Sequence, residues 1–258
     1  MLILLSPAKS LDFETPIPHK KSTLAQFASE AAQLVQHASQ LTVLELQNLM
    51  KISPALAQLN QMRFADWRTS PIPALTRQAV FAFDGDVYDG LAARRMDKDG
   101  VLYLQEHLRI LSGLYGVLRP LDLIQAYRLE MGSRLQNTVA KNLYGFWGDK
   151  VTDYLQQTLV KKNRQGLLNL ASEEYAKVVN FKAFSCSVIS PVFEDYSSGK
   201  FKIVSFFAKK ARGMMVRYCA ENQIEDMDEL KEFAMEGYRY CHQSSSEMRW
   251  VYRRKQLK

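Results

Sequence analysis

The sequence lacks any hydrophobic run that approaches the roughly 18 residues needed to cross a bilayer as a helix. Its apolar start, residues 1–5, ends at Ser6-Pro7 and has neither the basic n-region nor the long hydrophobic region of a signal peptide. We therefore expect no secretory signal. Cysteine is scarce too: Cys186, Cys219 and Cys241 are widely spaced and form no CxxC pair. This usage argues against a disulfide framework and predicts a protein of the reducing cytoplasm, while the missing hydrophobic run predicts no membrane contact.

Signatures of cofactor and metal chemistry are also missing. The chain contains no Walker A, GxGxxG, HExxH, EF-hand or GxSxG pattern. The histidines are scattered, and the adjacent Cys241 and His242 would point apart in a strand, which disfavours a cysteine–histidine nucleophile pair. We therefore predict no cofactor and no metal site, and the sequence identifies no catalytic residue.

The composition is that of an ordinary globular protein. The 258 residues are 47% hydrophobic and 24% charged, so the chain can bury a core without disulfides. Lys and Arg number 34 against 27 Asp and Glu, which gives a net charge of +7. The excess lies in 200–218 and 249–258, which contain basic but no acidic residues. Such a balance favours phosphate or other anionic partners.

Hydrophobic periodicity predicts a mixed α+β fold with a helical N-terminal part and a central mixed sheet. Helices are expected over about 23–40, from Thr42, from Ser53-Pro54, and over about 102–111, 143–159 and 208–222. Strands are expected at about 2–5, 80–83 and 167–170, with a hairpin formed by 187–195 and 201–207. No repeat or linker divides the chain, so we predict one domain over 1–258, within which 22–68 could form a helical subdomain.

A turn bracketed by Gly113 and Gly116 joins two helical patterns in the segment LSGLYGVLRPLD at 111–122. The segment resembles a helix-hairpin-helix, a module that grips the DNA backbone without reading sequence. Glycines let backbone N–H groups approach a phosphate, and an arginine adds a bidentate partner. The predicted phosphate contacts are Gly113, Leu114, Tyr115, Gly116 and Arg119. The alternative is a packed helical corner in which Gly113 is an ordinary C-cap.

A second candidate phosphate site is the basic cluster Lys209, Lys210 and Arg212, where the predicted hairpin leads into a helix. Three cations would crowd the first turn of that helix, where the helix dipole disfavours them. A bound phosphate would compensate, because helix N-termini bind anions. The alternative is a solvated basic face.

Polar residues next to apolar segments indicate a candidate cleft. Lys9 follows the first strand, Arg128 and Glu130 would point to one side if extended, and Glu174 follows the strand at 167–170. Together with Lys209 they would make a binding or catalytic site at the edge of a sheet. The alternative is a set of separate structural ion pairs.

Seven sequence blocks, taken in order, resemble the bacterial YaaA family of peroxide-stress resistance proteins. The blocks are LLSPAKSLD at 4–12, FDGDVYDGL at 83–91, LRILSGLYGVLRPLD at 108–122, YRLEMG at 127–132, FWGD at 146–149, NLASEEY at 169–175 and FKIVSFFAKKARG at 201–213. They span nearly the whole chain, so the resemblance is specific.

The resemblance implies a cytoplasmic protein that protects cells against hydrogen peroxide and is associated with lower free iron, which limits Fenton damage to DNA. It implies a single unit of unusual mixed α/β topology with a positively charged cleft and a helix-hairpin-helix element, which would fall at Gly113–Gly116. DNA binding has been attributed to the family. The family has no securely assigned reaction, so the resemblance implies no catalytic residues and leaves open whether the protein is an enzyme.

Three functions follow as hypotheses. The first is non-specific DNA binding, with phosphates held by the 113–116 turn, Arg119 and the basic cluster, and with no obligate protein partner. The second is an enzyme that acts on a small anion or nucleotide in the same cleft, with Lys9, Arg128 and Glu130 positioning the substrate and moving protons. Iron binding ranks last, because the sequence offers no cluster of ligands.

Overall fold

The computed structural model describes residues 1–70 and 72–255 of the chain. Its helices are α1 (Ala28–Ala38), α2 (Val43–Met50), α3 (Pro54–Asp66), α4 (Ala79–Ala82), α5 (Asp86–Leu91), α6 (Lys98–His107), α7 (Leu143–Trp147), α8 (Lys150–Lys161), α9 (Glu173–Ala176) and α10 (Ser205–Glu221). Its strands are β1 (Leu2–Leu5), β2 (Ser10–Leu11), β3 (Thr23–Leu24), β4 (Thr76–Gln78), β5 (Phe83–Asp84), β6 (Leu108–Ser112), β7 (Gly116–Leu118), β8 (Asp122–Gln125), β9 (Gly166–Leu170), β10 (Ser187–Ser197), β11 (Lys200–Lys202), β12 (Arg239–Tyr240) and β13 (Arg249–Arg254).

The main sheet has the strand order β12-β13-β10-β9-β1-β6-β7, with β11 paired to the far end of β10. Strands β6, β1, β9, β10 and β13 all run parallel to one another. Every residue of β1 is buried, as expected for a parallel strand covered on both faces. The C-terminal ends of β1, β6 and β9 therefore meet at one edge of the sheet, which we call the carboxyl edge.

The helix starts predicted at Thr42 and at Ser53-Pro54 are confirmed. The Thr42 side chain accepts a hydrogen bond from the Glu45 backbone N–H, and the Glu45 carboxylate accepts one from the Thr42 backbone N–H. At α3, the Ser53 hydroxyl accepts from the backbone N–H of Leu56, and Pro54 occupies the first helical position.

Two predicted helices are shorter or broken. The predicted helix over 23–40 begins only at Ala28, because Thr23 and Leu24 pair with β8 as strand β3. The predicted helix over 143–159 is divided into α7 and α8 at Gly148, whose positive φ of 45° takes the backbone out of the helical region. The apolar residues of both segments are buried as predicted, but the spacing of hydrophobic residues does not reveal where the backbone leaves the helical conformation.

The predicted strand at 80–83 is wrong over most of its length. Residues 79–82 form the short helix α4, and only Phe83 enters a strand, β5. All of α4 is buried, so its residues show no polar side that would distinguish a helix from a buried strand.

The C-terminal hairpin is confirmed, but its second strand, predicted over 201–207, ends at Lys202, and the helix that follows begins earlier than predicted. Strands β10 and β11 pair through a turn at Ser198 and Gly199, both with positive φ. The next helix, α10, already begins at Ser205. Lys209 and Lys210 therefore lie beyond its first turn, and the prediction that cations crowd the helix N-terminus is wrong.

The helix-hairpin-helix prediction is wrong as well. Residues 108–112 form strand β6 and 116–118 form strand β7, an antiparallel β-hairpin. Gly113, Leu114, Tyr115 and Gly116 are all buried at its turn. The Trp147 indole N–H donates to the Gly113 carbonyl at 3.0 Å. A turn held inside the core in this way cannot present its N–H groups to a phosphate.

A compact helical hairpin does occur in the N-terminal part. Helices α2 and α3 are joined by Lys51, Ile52 and Ser53, and Lys51 has the left-handed φ of 52° that ends α2. These helices pack onto the same hydrophobic core as the main sheet, through residues such as Leu46 and Phe64. One core thus spans the described residues, which confirms a single compact α+β unit. Within residues 1–70 and 72–255, no helix has the length and apolar character needed to cross a membrane.

Candidate ligand site at the carboxyl edge

Two serines connect neighbouring strands at the carboxyl edge. Ser6 directly follows β1, and Ser172 comes two residues after β9. The Ser6 hydroxyl oxygen accepts from the Ser172 backbone N–H at 2.8 Å, and the two hydroxyl oxygens are 3.2 Å apart. Ligands of open parallel sheets generally bind at this edge, because the loops that follow the strands converge there.

A glutamate lies between two cations beside these serines. The Arg128 guanidinium donates to the Oε1 atom of Glu130 from Nε at 3.1 Å and from Nη2 at 3.0 Å. The Lys9 ammonium lies 3.5 Å from the same oxygen. Only 13% of the Glu130 side chain is exposed, against 66% for Lys9. Glu130 is thus fixed from inside by Arg128, while Lys9 faces solvent.

The second carboxylate oxygen of Glu130 has a different environment. Oε2 is buried and has no hydrogen-bond partner among the described residues. An unpaired buried acceptor costs about 1–3 kcal/mol, so such groups are rare in folded proteins. The arrangement leaves one carboxylate oxygen of Glu130 without a donor in the described part of the chain.

Glu174 supports the loop that carries Arg128 and Glu130. Its Oε1 atom accepts from the backbone N–H of Gly132 at 2.9 Å. A Cβ atom at position 132 would lie 2.9 Å from that oxygen, so any other residue there would require the Glu174 side chain to shift. The structure therefore brings the four cleft residues Lys9, Arg128, Glu130 and Glu174 into one neighbourhood, with Glu174 acting on the loop backbone.

Lys209 borders the same neighbourhood through α5. Its ammonium lies 3.7 Å from the Asp86 carboxylate at the start of that helix. The preceding residue, Gly85, lies against Ala8, the neighbour of Lys9. The carboxyl edge thus gathers three cations (Lys9, Arg128, Lys209) and three carboxylates (Glu130, Glu174, Asp86), a balanced mixture of charge.

The other predicted phosphate contacts are dispersed. Lys210 pairs with Glu236 at 2.5 Å, and Arg119 pairs with Asp122 at 2.9 Å. Arg212 is half-buried, and burial lowers the pKa of its guanidinium. These residues do not form a common cradle with the 113–116 turn, because that turn lies inside the core.

Buried tyrosines underlie the site. The Tyr88 hydroxyl donates to the Ser6 carbonyl at 3.1 Å, and the Tyr127 hydroxyl lies 2.6 Å from that of Ser112. Burial raises the pKa of Tyr88, Tyr127 and Tyr175 above the ordinary tyrosine value. These hydroxyls therefore stay protonated at neutral pH and act as hydrogen-bonding groups, not as bases.

Sequence reasoning missed Ser6, Ser172, Asp86 and Tyr88. Ser172 precedes α9, yet its side chain makes no capping hydrogen bond and contacts Ser6 instead. The available signal was position: each serine comes within two residues of the end of a buried apolar strand. Among the described residues, no group of three or more His, Cys, Asp or Glu side chains is arranged to hold a metal ion.

Comparison with known proteins gives the family. A family model described as peroxide stress protein YaaA matches residues 1–244. A UPF0246 protein of Polynucleobacter asymbioticus is 50% identical over 258 residues and covers all of both chains. A UPF0246 protein of Ralstonia nicotianae is 51% identical over 255 residues, 99% of each chain. The chain belongs to the YaaA family of peroxide stress proteins.

Membership in the YaaA family confirms the resemblance found in the sequence blocks and associates the protein with peroxide stress. The family match includes every residue of the carboxyl-edge site, from Ser6 to Lys209. A UPF0246 protein of Alteromonas mediterranea, 50% identical over 256 residues and 99% of each chain, extends the similarity through the last strand.

Proposed function

We propose that the carboxyl-edge site binds a small ligand that presents a hydrogen-bond donor beside an anionic group, as nucleotides do. The observation that carries this proposal is the buried Oε2 atom of Glu130, which has no donor among the described residues, next to the exposed ammonium of Lys9. A base or sugar donor would satisfy the carboxylate, and a phosphate would meet the lysine.

The balance of charge at the site favours this ligand over a polyanion. Three carboxylates among three cations would repel a continuous run of phosphates. A buried glutamate held by arginine is a specific acceptor for one donor group, and such convergent polar groups are typical of small-molecule sites. In this proposal Arg128 positions Glu130, which contacts the ligand, and Glu174 holds the loop.

Isothermal titration with ribonucleoside monophosphates tests the proposal. We expect Glu130→Gln to weaken binding about tenfold or more, because the new amide group would oppose the ligand's donor. Lys9→Gln should weaken the monophosphate by a similar factor but leave the parent nucleoside unaffected, because only the phosphate contacts the lysine.

The matched control is Lys161→Gln, which removes an exposed lysine of α8 and should leave binding unchanged. Absence of binding by any monophosphate, or binding that both site variants leave unaltered, would exclude the proposed ligand class.

A second candidate function, non-specific DNA binding, is supported by a different surface. On the hairpin side of the sheet, the Lys255 ammonium lies 5.0 Å from the Tyr196 ring centre and the Arg253 guanidinium 4.7 Å from that of Phe201. Exposed Lys200 and Lys202 flank these pairs. Alternating cations and aromatic rings suit a nucleic-acid backbone and its bases, and coating of duplex DNA would shield it from iron-generated radicals.

Duplex binding measured against salt concentration tests this second function. We expect affinity to fall steeply with salt, and the double variant Lys200→Glu/Lys202→Glu to lower both the affinity and the slope, because fewer counterions are released. The exposed Lys51 at the α2–α3 turn provides a further variant, Lys51→Glu, that tests whether the helical hairpin also contacts the backbone. Salt-independent binding, or full binding by the double variant, would contradict DNA backbone recognition by the hairpin surface.

A further inference from the structure

Phe206, in the first turn of α10, is an exposed aromatic residue. It is 55% exposed, although phenylalanine is usually a core residue. Its one aromatic neighbour in the described part of the chain is Phe207, whose ring centre lies 5.5 Å away. Phe207 is itself held by the Arg254 guanidinium, 4.7 Å from its ring centre. Phe206 therefore leaves a large part of an apolar ring in water on a fixed support.

Helix α10 runs from the carboxyl end of the main sheet towards its amino end. Strand β10 is parallel to β9 and continues past the end of β9 through residues 192–197, so the hairpin and the start of α10 lie on the carboxyl side. Beyond the other end of α10, Glu225 lies 3.5 Å from His107, which directly precedes β6. Phe206 thus belongs to the same end of the sheet as the candidate ligand site.

The side of α10 that carries Phe206 packs against α5. Two glycines make this contact close. A Cβ atom at Gly90 of α5 would overlap the Lys210 carbonyl oxygen, and one at Gly213 of α10 would overlap that of Val87. Residues three or four apart share a helix face, so Phe206 lies in line with Lys210 and Gly213. Its ring therefore projects on the α5 side of α10.

Helix α5 begins too late to cover this ring. Its first residue, Asp86, has its carboxylate 3.7 Å from the Lys209 ammonium, one turn along α10 from Phe206. The preceding residue, Gly85, lies against Ala8 in the loop after β1. Phe206 therefore stands above the start of α5, at the side of the carboxyl-edge site that Lys209 borders.

We propose that Phe206 stacks against the base of the nucleotide that binds at the carboxyl edge, an inference that rests on the proposed ligand class. Every base has a π face, and stacking on an aromatic side chain adds affinity without reading the base edge. In this arrangement the phosphate meets Lys9 and the ribose hydroxyls supply the donor for the Glu130 Oε2 atom. Three parts of the ligand thus have three separate contacts.

Isothermal titration with adenosine monophosphate and with ribose 5-phosphate tests the stacking contact. We expect the wild type to bind the nucleotide about tenfold more tightly than the sugar phosphate, because only the nucleotide has a base to stack. Phe206→Ala should remove that difference by weakening the nucleotide about tenfold while leaving ribose 5-phosphate unchanged. Phe206→Trp keeps an aromatic face and should bind the nucleotide at least as tightly as the wild type.

Phe184→Ala is the matched control. Phe184 is a half-buried phenylalanine that precedes β10, at the amino end of the sheet, so its loss should leave the binding of both ligands unchanged. Because the Phe206 ring is more than half exposed, Phe206→Ala should unfold within a few degrees of the wild type.

The outcomes separate the stacking contact from the ligand class. If Phe206→Ala bound adenosine monophosphate as tightly as the wild type while Glu130→Gln still weakened it, stacking at Phe206 would be excluded and the proposed function would stand. Equal affinity of the wild type for the nucleotide and for ribose 5-phosphate would exclude stacking as well. No binding of either ligand by the wild type would overturn both proposals.

Discussion

Gly113→Ala should lower the free energy of unfolding by about 3 kcal/mol. The new Cβ atom would overlap the backbone carbonyl oxygen of Leu129, which a core of normal packing density has no room to move. The Trp147 indole, which donates to the Gly113 carbonyl, would also be displaced. Urea denaturation followed by tryptophan fluorescence measures the change.

The control for this variant is Gly199→Ala in the exposed β10–β11 turn. Gly199 has a positive φ of 81°, but its Cβ would meet nothing within 4 Å. That substitution should therefore cost only the backbone strain, about 1 kcal/mol. If Gly113→Ala were as mild as Gly199→Ala, the 113–116 turn would be a surface element and the helix-hairpin-helix prediction would regain support.

Arg254→Met is expected to destabilise the protein by about 3–5 kcal/mol, because it leaves the buried Asp195 carboxylate without its cation. Asp195 and Arg254 are 2% and 7% exposed, and the carboxylate also accepts from the Tyr238 hydroxyl at 2.8 Å. The guanidinium lies 4.7 Å from the ring centre of Phe207 in α10. Loss of Arg254 thus loosens β13, β10 and α10 together.

A double-mutant cycle separates the energy of the Asp195–Arg254 ion pair from the energy of the packing around it. Asp195→Asn combined with Arg254→Met should recover part of the loss, because no uncompensated charge stays buried. Lys162→Met, which breaks the half-exposed pair with Glu106, should cost no more than about 1 kcal/mol. Thermal or urea unfolding of the wild type, Asp195→Asn, Arg254→Met and the double variant gives the coupling energy between the two side chains. An Arg254→Met variant as stable as Lys162→Met would contradict the buried ion pair.

The sequence predicted correctly those elements that are determined by residues close to one another in the chain. The Thr42 capping box, the Ser53-Pro54 helix start and the Ser198-Gly199 turn depend on side chains within a few residues of one another, and the structure has all three. The apolar run at 2–5 predicts a short buried strand, and the structure has it as β1.

The 108–118 segment could not be assigned in the same way. Its apolar residues satisfy helical spacing. A fully buried strand needs no alternation of apolar and polar residues, so the same sequence is also compatible with a strand. The deciding contacts come from distant parts of the chain: Trp67 donates to the Tyr115 hydroxyl, and the Gly113 backbone lies against Leu129. Burial of the turn was therefore invisible to local reasoning.

The candidate cleft was predictable in outline but not in geometry. Polar residues after two buried strands suggested that Lys9 and Glu174 lie at one sheet edge, as they do. That Arg128 and Lys9 share one oxygen of Glu130 and leave the other without a donor depends on a loop conformation that the Gly132–Glu174 contact holds. No spacing rule specifies such a contact.

A crystal structure of the protein with a bound ribonucleoside monophosphate tests the central claim most directly. We expect the phosphate beside the Lys9 ammonium and a base or sugar donor within hydrogen-bond distance of the Glu130 Oε2 atom. A nucleotide bound elsewhere, or one at the carboxyl edge that leaves Oε2 without a donor, would contradict the account.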